Sequence, residues 1–212
     1  MGQLGPRVGL AGPVFSFVLV SAVSALIATV LAAAMSGVFV NTGRGSKTMA
    51  GIILTLVTVL CAGPVRFSNY LLMKDMGWLN TVFAVIASTC FSGAAVWAMI
   101  CMRRDEPMSV TDNSFAQSML ALFLTQTAFV YGNSTPQILY LTRPDMSPIL
   151  MLRQINMGMQ KIENAADRKS LNGVMDLYGF LVSLPPMLLY LAANIFLPKD
   201  KMMAVISAGM KN

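Results

Sequence analysis

Histidine is absent from this chain of 212 residues. Its absence excludes haem held by two histidines, zinc bound through imidazole, and proton relays or catalytic triads built on histidine. Charged residues are scarce as well, at 11% of the chain. We find no paired carboxylates, activated serine motif or metal-ligand spacing, so the sequence predicts no enzyme, no metal site and no cofactor.

Cysteine is also rare, with three residues at Cys61, Cys90 and Cys101, and their spacing matches no CxxC pair. All three lie in or at the ends of apolar segments, so we expect buried, unreactive thiols. Methionine is abundant, at 18 residues. Its pliable side chain suits irregular helix packing or contacts between subunits, and no soft ligands converge to suggest a copper site.

Apolar residues dominate the sequence, at 56% of the chain, and the mean hydropathy is +0.66. They are gathered into blocks of about 20 residues separated by short charged loops, which is the pattern of membrane-spanning helices. The sequence predicts an all-α, polytopic membrane protein whose residues 1–212 form a single membrane domain. We expect about five transmembrane helices and one amphipathic interfacial helix.

The first apolar block runs from about Val14 to Val40 (14–40). It is longer than the ~7–15 apolar residues of a signal peptide, which favours an uncleaved anchor, although the run of three alanines from Ala32 also fits a cleavage site. Small residues recur every fourth position in this block, at Ser24, Ala28, Ala32 and Ser36. This small-residue ribbon lets another helix approach closely, and we expect Ala28→Leu to weaken assembly.

The second block, residues 49–73, contains a Gly63-Pro64 break and then Arg66. Pro64 should kink or end the helix, because proline lacks the backbone donor of the helical ladder. Arg66 either faces a protein neighbour or an aqueous cavity, or marks where the helix has left the membrane. The short stretch before Pro64 favours the second interpretation, with the guanidinium reaching the interface.

The third and fourth blocks, residues 78–102 and 114–132, differ in polarity. The third begins at an interfacial tryptophan and ends before two arginines, and Ser92 and Gly93 make its centre narrow enough for close helix packing. The fourth contains Gln126, which is costly in lipid, so this block either bonds to another helix or lies in the interface. Spanning is the favoured interpretation, and the choice between four and five spans stays open.

The amphipathic segment, residues 147–169, begins at Ser147-Pro148, where serine can cap a helix and proline suits its first turn. Apolar residues then follow steps of three and four, which predicts a helix on an anionic membrane surface or docked on a protein partner. The last block, residues 174–197, contains Pro185 and Pro186, which predict a kink near its middle.

Charge excludes some functions without fixing the orientation. The net charge is +6, but the basic residues are dispersed through loops, so we expect no direct binding of nucleic acid. If the chain has five spans, eight basic residues lie on one side of the membrane and seven on the other. The positive-inside rule therefore does not fix the orientation. We expect the acidic residues to lie in loops, which disfavours a proton-driven pump or ion-coupled carrier.

From about Val14 to Met102 the chain combines a small-residue helix, a basic hinge from Arg44 to Lys47, the sequence Met-Ala-Gly-Ile-Ile-Leu leading into the Gly63-Pro64 break, and a further helix that ends in basic residues. In these features it resembles the small polytopic inner-membrane proteins of conjugation-type secretion systems, the type IVB systems of the Dot/Icm and I-type plasmid kind. The polar fourth block and the long loop after it depart from the pattern.

The sequence therefore predicts an integral membrane subunit of a larger assembly, structural or channel-lining, whose partners are the bilayer and other membrane subunits or further copies of itself. The resemblance implies a DNA- or protein-translocating machine in a bacterial inner membrane, and it supplies no catalytic residue. Two other functions stay open: a stand-alone transporter or permease for small solutes, and a supernumerary subunit of a respiratory or photosynthetic complex.

Overall fold

The structure, a computed structural model, describes residues 11–41, 48, 51–52, 65–105, 113–160 and 165–196. Within these residues the chain has eight α-helices with defined bounds, one short 3-10 turn, further helical residues at 48 and 51–52, and no strand, which confirms the all-α fold. Most of the second predicted block lies outside the described residues, including Pro64, whose predicted kink is therefore untested.

Helix α1 lies at the centre of the bundle, where it packs against α3, α4 and α5, while α8 packs mainly against α5 at the edge. The helices are α1 (Ala11–Asn41), α2 (Val65–Asp75), α3 (Val82–Thr89), α4 (Gly93–Asp105), α5 (Asn113–Gly132), α6 (Ser134–Tyr140), α7 (Pro148–Met159) and α8 (Ala165–Phe196), with the 3-10 turn at Pro144–Met146. The central helix is the more apolar of the two long helices, α1 and α8, and α8 keeps much of its surface free of contacts within the chain.

Two separate apolar clusters hold the ends of the bundle together. Near the carboxyl end of α1, Ala32 packs with Val96 and Met99 of α4 and with Leu122 of α5. Near the amino end of α1, a second cluster joins helices α1, α3, α5 and α7 through Phe17, Val85, Tyr131, Leu141 and Leu150. The first cluster combines two small buried residues, Ala32 and Ala95, with larger apolar side chains.

Two described helical segments are long and apolar enough to cross a membrane: Ala11–Phe39 and Asn172–Phe196. A third is possible if α3 and α4, which meet at an angle of 43°, are counted as one bent span. The count of about five spans is not confirmed. Helix α5, which covers the predicted fourth span, does not meet this criterion, because polar residues interrupt its apolar ones.

The third predicted block is not a continuous helix. The structure ends α3 at Thr89 and begins α4 at Gly93, whereas the sequence suggested one helix from Trp78 to Met102. The hydroxyl of Ser92 accepts a hydrogen bond from the backbone N–H of Ala95 at 3.2 Å, which caps the start of α4. Ser92, predicted only to narrow a packing face, therefore also helps to restart the helix.

The amphipathic segment is shorter than predicted. Helix α7 begins at Pro148 with Ser147 as its N-cap, as the Ser-Pro pair predicts, but it ends at Met159 rather than near Lys169. Gly158 favours this end, because glycine is a poor helix former. Residues 165–169 belong to α8, which continues without interruption through Pro185 and Pro186, and the kink there stays a prediction.

Cysteine burial also differs from the expectation. Cys101 is exposed and Cys90 is partly exposed, while Cys61 lies outside the described residues. Cys101 shares an outward face of α4 with Ala94 and Trp97, which are also exposed. The apolar sequence around these cysteines therefore predicted a helix correctly, but it did not predict which side of the helix each thiol faces.

Candidate functional site

The small-residue ribbon of α1 is an internal packing face. Ser24, Ala28, Ala32 and Ser36 are all buried within this single chain. The hydroxyl of Ser24 lies 2.7 Å from that of Thr89 at the end of α3, and Ala32 is covered by α4 and α5. Helices of the same chain occupy the ribbon, so a partner subunit needs another surface.

The other predicted residues lie at separate places in the bundle. Gly93 is buried at the start of α4, and Ser92 is partly buried beside it. Gln126 is buried on α5. Arg66 lies in α2, but its side chain is outside the described part of the structure, so neither interpretation of that residue is tested.

A small polar cavity of about 70 Å³ lies beside the break between α3 and α4. Its polar lining consists of uncharged side chains, namely Asn69, Ser88, Thr89, Asn133 and Thr135. The hydroxyls of Ser88 and Thr89 donate to the carbonyl of Val85 at 2.9 and 2.7 Å. A cavity of this size admits roughly five waters or one very small neutral solute, since each water needs ~10–15 Å³.

A buried joint centred on Gln137 connects α5, α6 and α7. Its amide nitrogen donates to the carbonyls of Tyr131 at 2.9 Å and Asn133 at 3.3 Å. Its amide oxygen accepts from the hydroxyl of Ser147 at 2.5 Å, and that hydroxyl also accepts from the N–H of Leu150 at 3.4 Å. The N-cap of α7 is thereby tied to the end of α5.

The turn between α2 and α3 anchors the other side of this region. Gly77 has a positive φ of 70° and ends α2, with the N–H of Trp78 bonded to the carbonyl of Met73, which is the pattern of a Schellman motif. Asn80 also has a positive φ, and its side-chain oxygen accepts from the N–H and hydroxyl of Thr142 at 2.8 and 2.6 Å. Neither Asn80 nor Gln137 was identified from the sequence, because apolar periodicity carries no signal for them.

At the opposite end of the bundle, Arg103 lies between helices rather than only at a membrane boundary. Its guanidinium carbon is 4.8 Å from the ring centre of Phe115, a cation–π contact. A Cβ atom added to Gly37 would lie 2.9 Å from a guanidinium nitrogen. Arg103 of α4 thus contacts both α1 and α5, and the absence of a side chain at Gly37 gives it room.

Helix α8 presents two exposed faces of different chemistry. One, the aliphatic face, carries only branched apolar residues at steps of three and four, of which Leu184 is partly buried and the others are exposed: Val174, Leu177, Leu181, Leu184, Leu188, Leu191 and Ile195. The other, the mixed face, follows the same steps through large and polar residues: Asp176, Phe180, Ser183, Met187, Tyr190 and Asn194. Asp176 lies within the span Asn172–Phe196, so the expectation that acidic residues are confined to loops is wrong.

The candidate site consists of helix surfaces and a small cavity. Among the described residues, no group of three or more histidine, cysteine, aspartate or glutamate side chains is placed to hold a metal ion. The features that stand out are the uncharged cavity at the helix break and the mixed face of α8. In comparisons with known proteins, no family model, curated protein or solved structure matches this chain.

Proposed function

We propose that this protein is a multi-pass membrane subunit of a larger assembly and that it meets another membrane protein through the mixed face of α8. The observation that carries the proposal is the contrast between the two exposed faces. Lipid tails are as apolar as leucine, so the aliphatic face suits lipid. Polar side chains within membrane helices usually face another helix or an aqueous cavity, so the mixed face suits a partner.

The low burial of α8 supports the same proposal. Only 11% of an 18-residue apolar stretch of α8 is buried within the chain, against 33% of such a stretch in the first span. Hydrogen bonds within the helix satisfy two of its polar side chains, because Ser183 donates to the carbonyl of Phe180 at 2.8 Å and Asn194 to that of Tyr190 at 3.0 Å. A neighbouring helix can therefore cover this face without leaving those donors unpaired.

The proposal includes about five spans in a bacterial inner membrane. Helix α5 fits as a span despite its composition, because Ser118, Gln126 and Thr127 are buried inside the bundle while Phe129 and Leu120 are exposed. Helices α3 and α4 form one bent span, and the span predicted for residues 49–73, most of which lie outside the described residues, stays a prediction from the sequence. The resemblance to type IVB components would make the assembly a translocation machine, and that stays a prediction from the sequence.

The proposal predicts that the two faces respond differently to truncation. Met187 and Tyr190 on the mixed face are 55% and 54% exposed, and Leu188 and Leu191 on the aliphatic face are 61% and 59% exposed. We expect Met187→Ala with Tyr190→Ala to weaken assembly about tenfold, through loss of packing worth ~1–2 kcal/mol. Leu188→Ala with Leu191→Ala should leave assembly within twofold of the unmodified protein.

Native sizing of the full chain, extracted in mild detergent from the membrane of its own organism, measures this difference. The unmodified protein should run as a particle larger than the single chain and should retain its partners. A monodisperse single-chain particle would contradict the proposal, as would equal losses for the two double variants.

A stand-alone transporter is the second candidate, and the polar cavity at the helix break favours it. In membrane carriers, interrupted helices and their ends often form the substrate site. Proteoliposomes that contain only this chain discriminate the two functions through uptake of urea, a small neutral solute. The subunit proposal predicts that urea enters these vesicles no faster than it enters protein-free vesicles. Faster uptake that Thr89→Phe abolishes, because phenylalanine fills the cavity, would establish the transporter.

A further inference from the structure

An open groove of about 390 Å³ lies between α6, the 3-10 turn and α7. Leu141 and Leu150 form its buried floor, and Ile138 and Met157 form an exposed apolar rim. Arg153 and Gln154 of α7 supply polar groups at the same groove. The volume lies within the ~300–1,000 Å³ range of small-molecule sites.

The charge in this groove is not balanced locally. Among the described residues that line it, Arg153 is the sole charged residue, and none carries a carboxylate. The nearby Arg143 is already paired, since its guanidinium lies 2.7 Å from a carboxylate oxygen of Asp145. The hydrogen bond from Arg143 holds the pKa of Asp145 below its usual value, which favours the carboxylate that Arg143 contacts. The guanidinium of Arg153 is therefore the positive group that an anion in the groove would contact.

The position of the groove along the first span corresponds to the headgroup region of a bilayer. Leu141 and Leu150 pack in one cluster with Phe17, which lies six residues after Ala11 at the start of the first span. At 1.5 Å per residue this is about 9 Å from the helix end. The whole span of 29 residues is about 44 Å long, close to the thickness of a bilayer with its headgroups. A span of this length that stands upright in a bilayer places Phe17 near the boundary between headgroups and hydrocarbon.

We propose that this groove binds an anionic phospholipid, with its phosphate on Arg153 and an acyl chain along Leu141, Leu150 and Met157. Arginine pairs well with phosphate oxygens, and the apolar floor continues into the cluster around Phe17. The inference goes beyond the proposed assembly and does not depend on it, because the groove lies on α6 and α7 rather than on the mixed face of α8.

Native mass spectrometry of the full-length protein in detergent tests this proposal. Palmitoyl-oleoyl phosphatidylglycerol is added in increasing amounts, and phosphatidylcholine with the same chains is the zwitterionic comparison. We expect Arg153→Gln to weaken phosphatidylglycerol binding about five- to tenfold, because one cation near a membrane surface contributes roughly 1 kcal/mol. Arg143→Gln is the matched control and should change binding less than twofold.

Met157→Asn tests the apolar part of the groove. It should weaken the binding of both lipids, because it places an amide where the acyl chain lies. Equal phosphatidylglycerol binding by Arg153→Gln and the unmodified protein would overturn the proposal, and so would an equal loss for Arg143→Gln. Displacement of the lipid by inorganic phosphate at a similar concentration would also overturn it, by showing that the groove recognises the anion alone.

Discussion

Replacing Ala32 by leucine is expected to destabilise the bundle by about 2–3 kcal/mol, because extra methylene groups enter a site with no room for them. Ala32 is buried on the small-residue ribbon, where α4 and α5 close over it through Met99 and Leu122. The larger side chain must separate these helices or strain its neighbours. Ala28→Leu acts on the same ribbon, so its first effect is on folding rather than on contacts between subunits.

Ala34→Leu is the matched control for this prediction, because Ala34 is exposed on the same helix two positions along. Thermal unfolding of both purified variants in one detergent, followed by circular dichroism, compares them directly. Ala32→Leu should melt several degrees below the unmodified protein, and Ala34→Leu should melt close to it. Equal melting temperatures for the two variants would contradict the packing of α1 described above.

Gln137→Leu is expected to release α7 from the bundle at a cost of about 3 kcal/mol, because loss of a buried hydrogen-bonding group leaves its partners unpaired. The amide of Gln137 is buried and bonds to Tyr131, Asn133 and Ser147. Leucine fills a similar volume but satisfies none of these groups. The effect should be local, since the cluster around Ala32 lies at the other end of the bundle.

Hydrogen exchange measured by mass spectrometry locates this effect. Peptides from residues 148–159 should exchange faster in Gln137→Leu, while peptides from α4 should keep their protection. Gln117→Leu is the control, because Gln117 is exposed on α5 and its replacement removes no buried bond. Unchanged protection of α7 in Gln137→Leu would show that the amide does not hold this region.

Apolar periodicity and helix-capping chemistry account for what the sequence predicted correctly. Long apolar runs identified the cores of α1 and α8, and the Ser147-Pro148 pair identified the start of α7, because these signals are local. The break after Thr89 was missed, since Ser92 and Gly93 suit close packing and a helix interruption equally well. The end of α7 at Met159 was missed because apolar spacing continued beyond it.

The candidate surfaces were harder to predict, because they depend on which side of a helix the rest of the chain covers. The ribbon through Ala32 could be found from the spacing of small residues, but its occupants could not. The mixed face of α8 is visible in the sequence only after the packed side of that helix is known. The joint at Gln137 depends on how three consecutive helices meet, which the periodicity within any one helix does not predict.

A photo-crosslinking scan along α8 tests the central claim most directly. The photoreactive residue p-benzoylphenylalanine is placed at each position from 183 to 191 of the full chain, and crosslinking is carried out in intact native membranes. The account predicts protein adducts at positions 183, 187 and 190 of the mixed face, and lipid labelling at positions 184, 188 and 191. Protein adducts that peak at 184, 188 and 191, or the absence of any protein adduct along α8, would contradict the account.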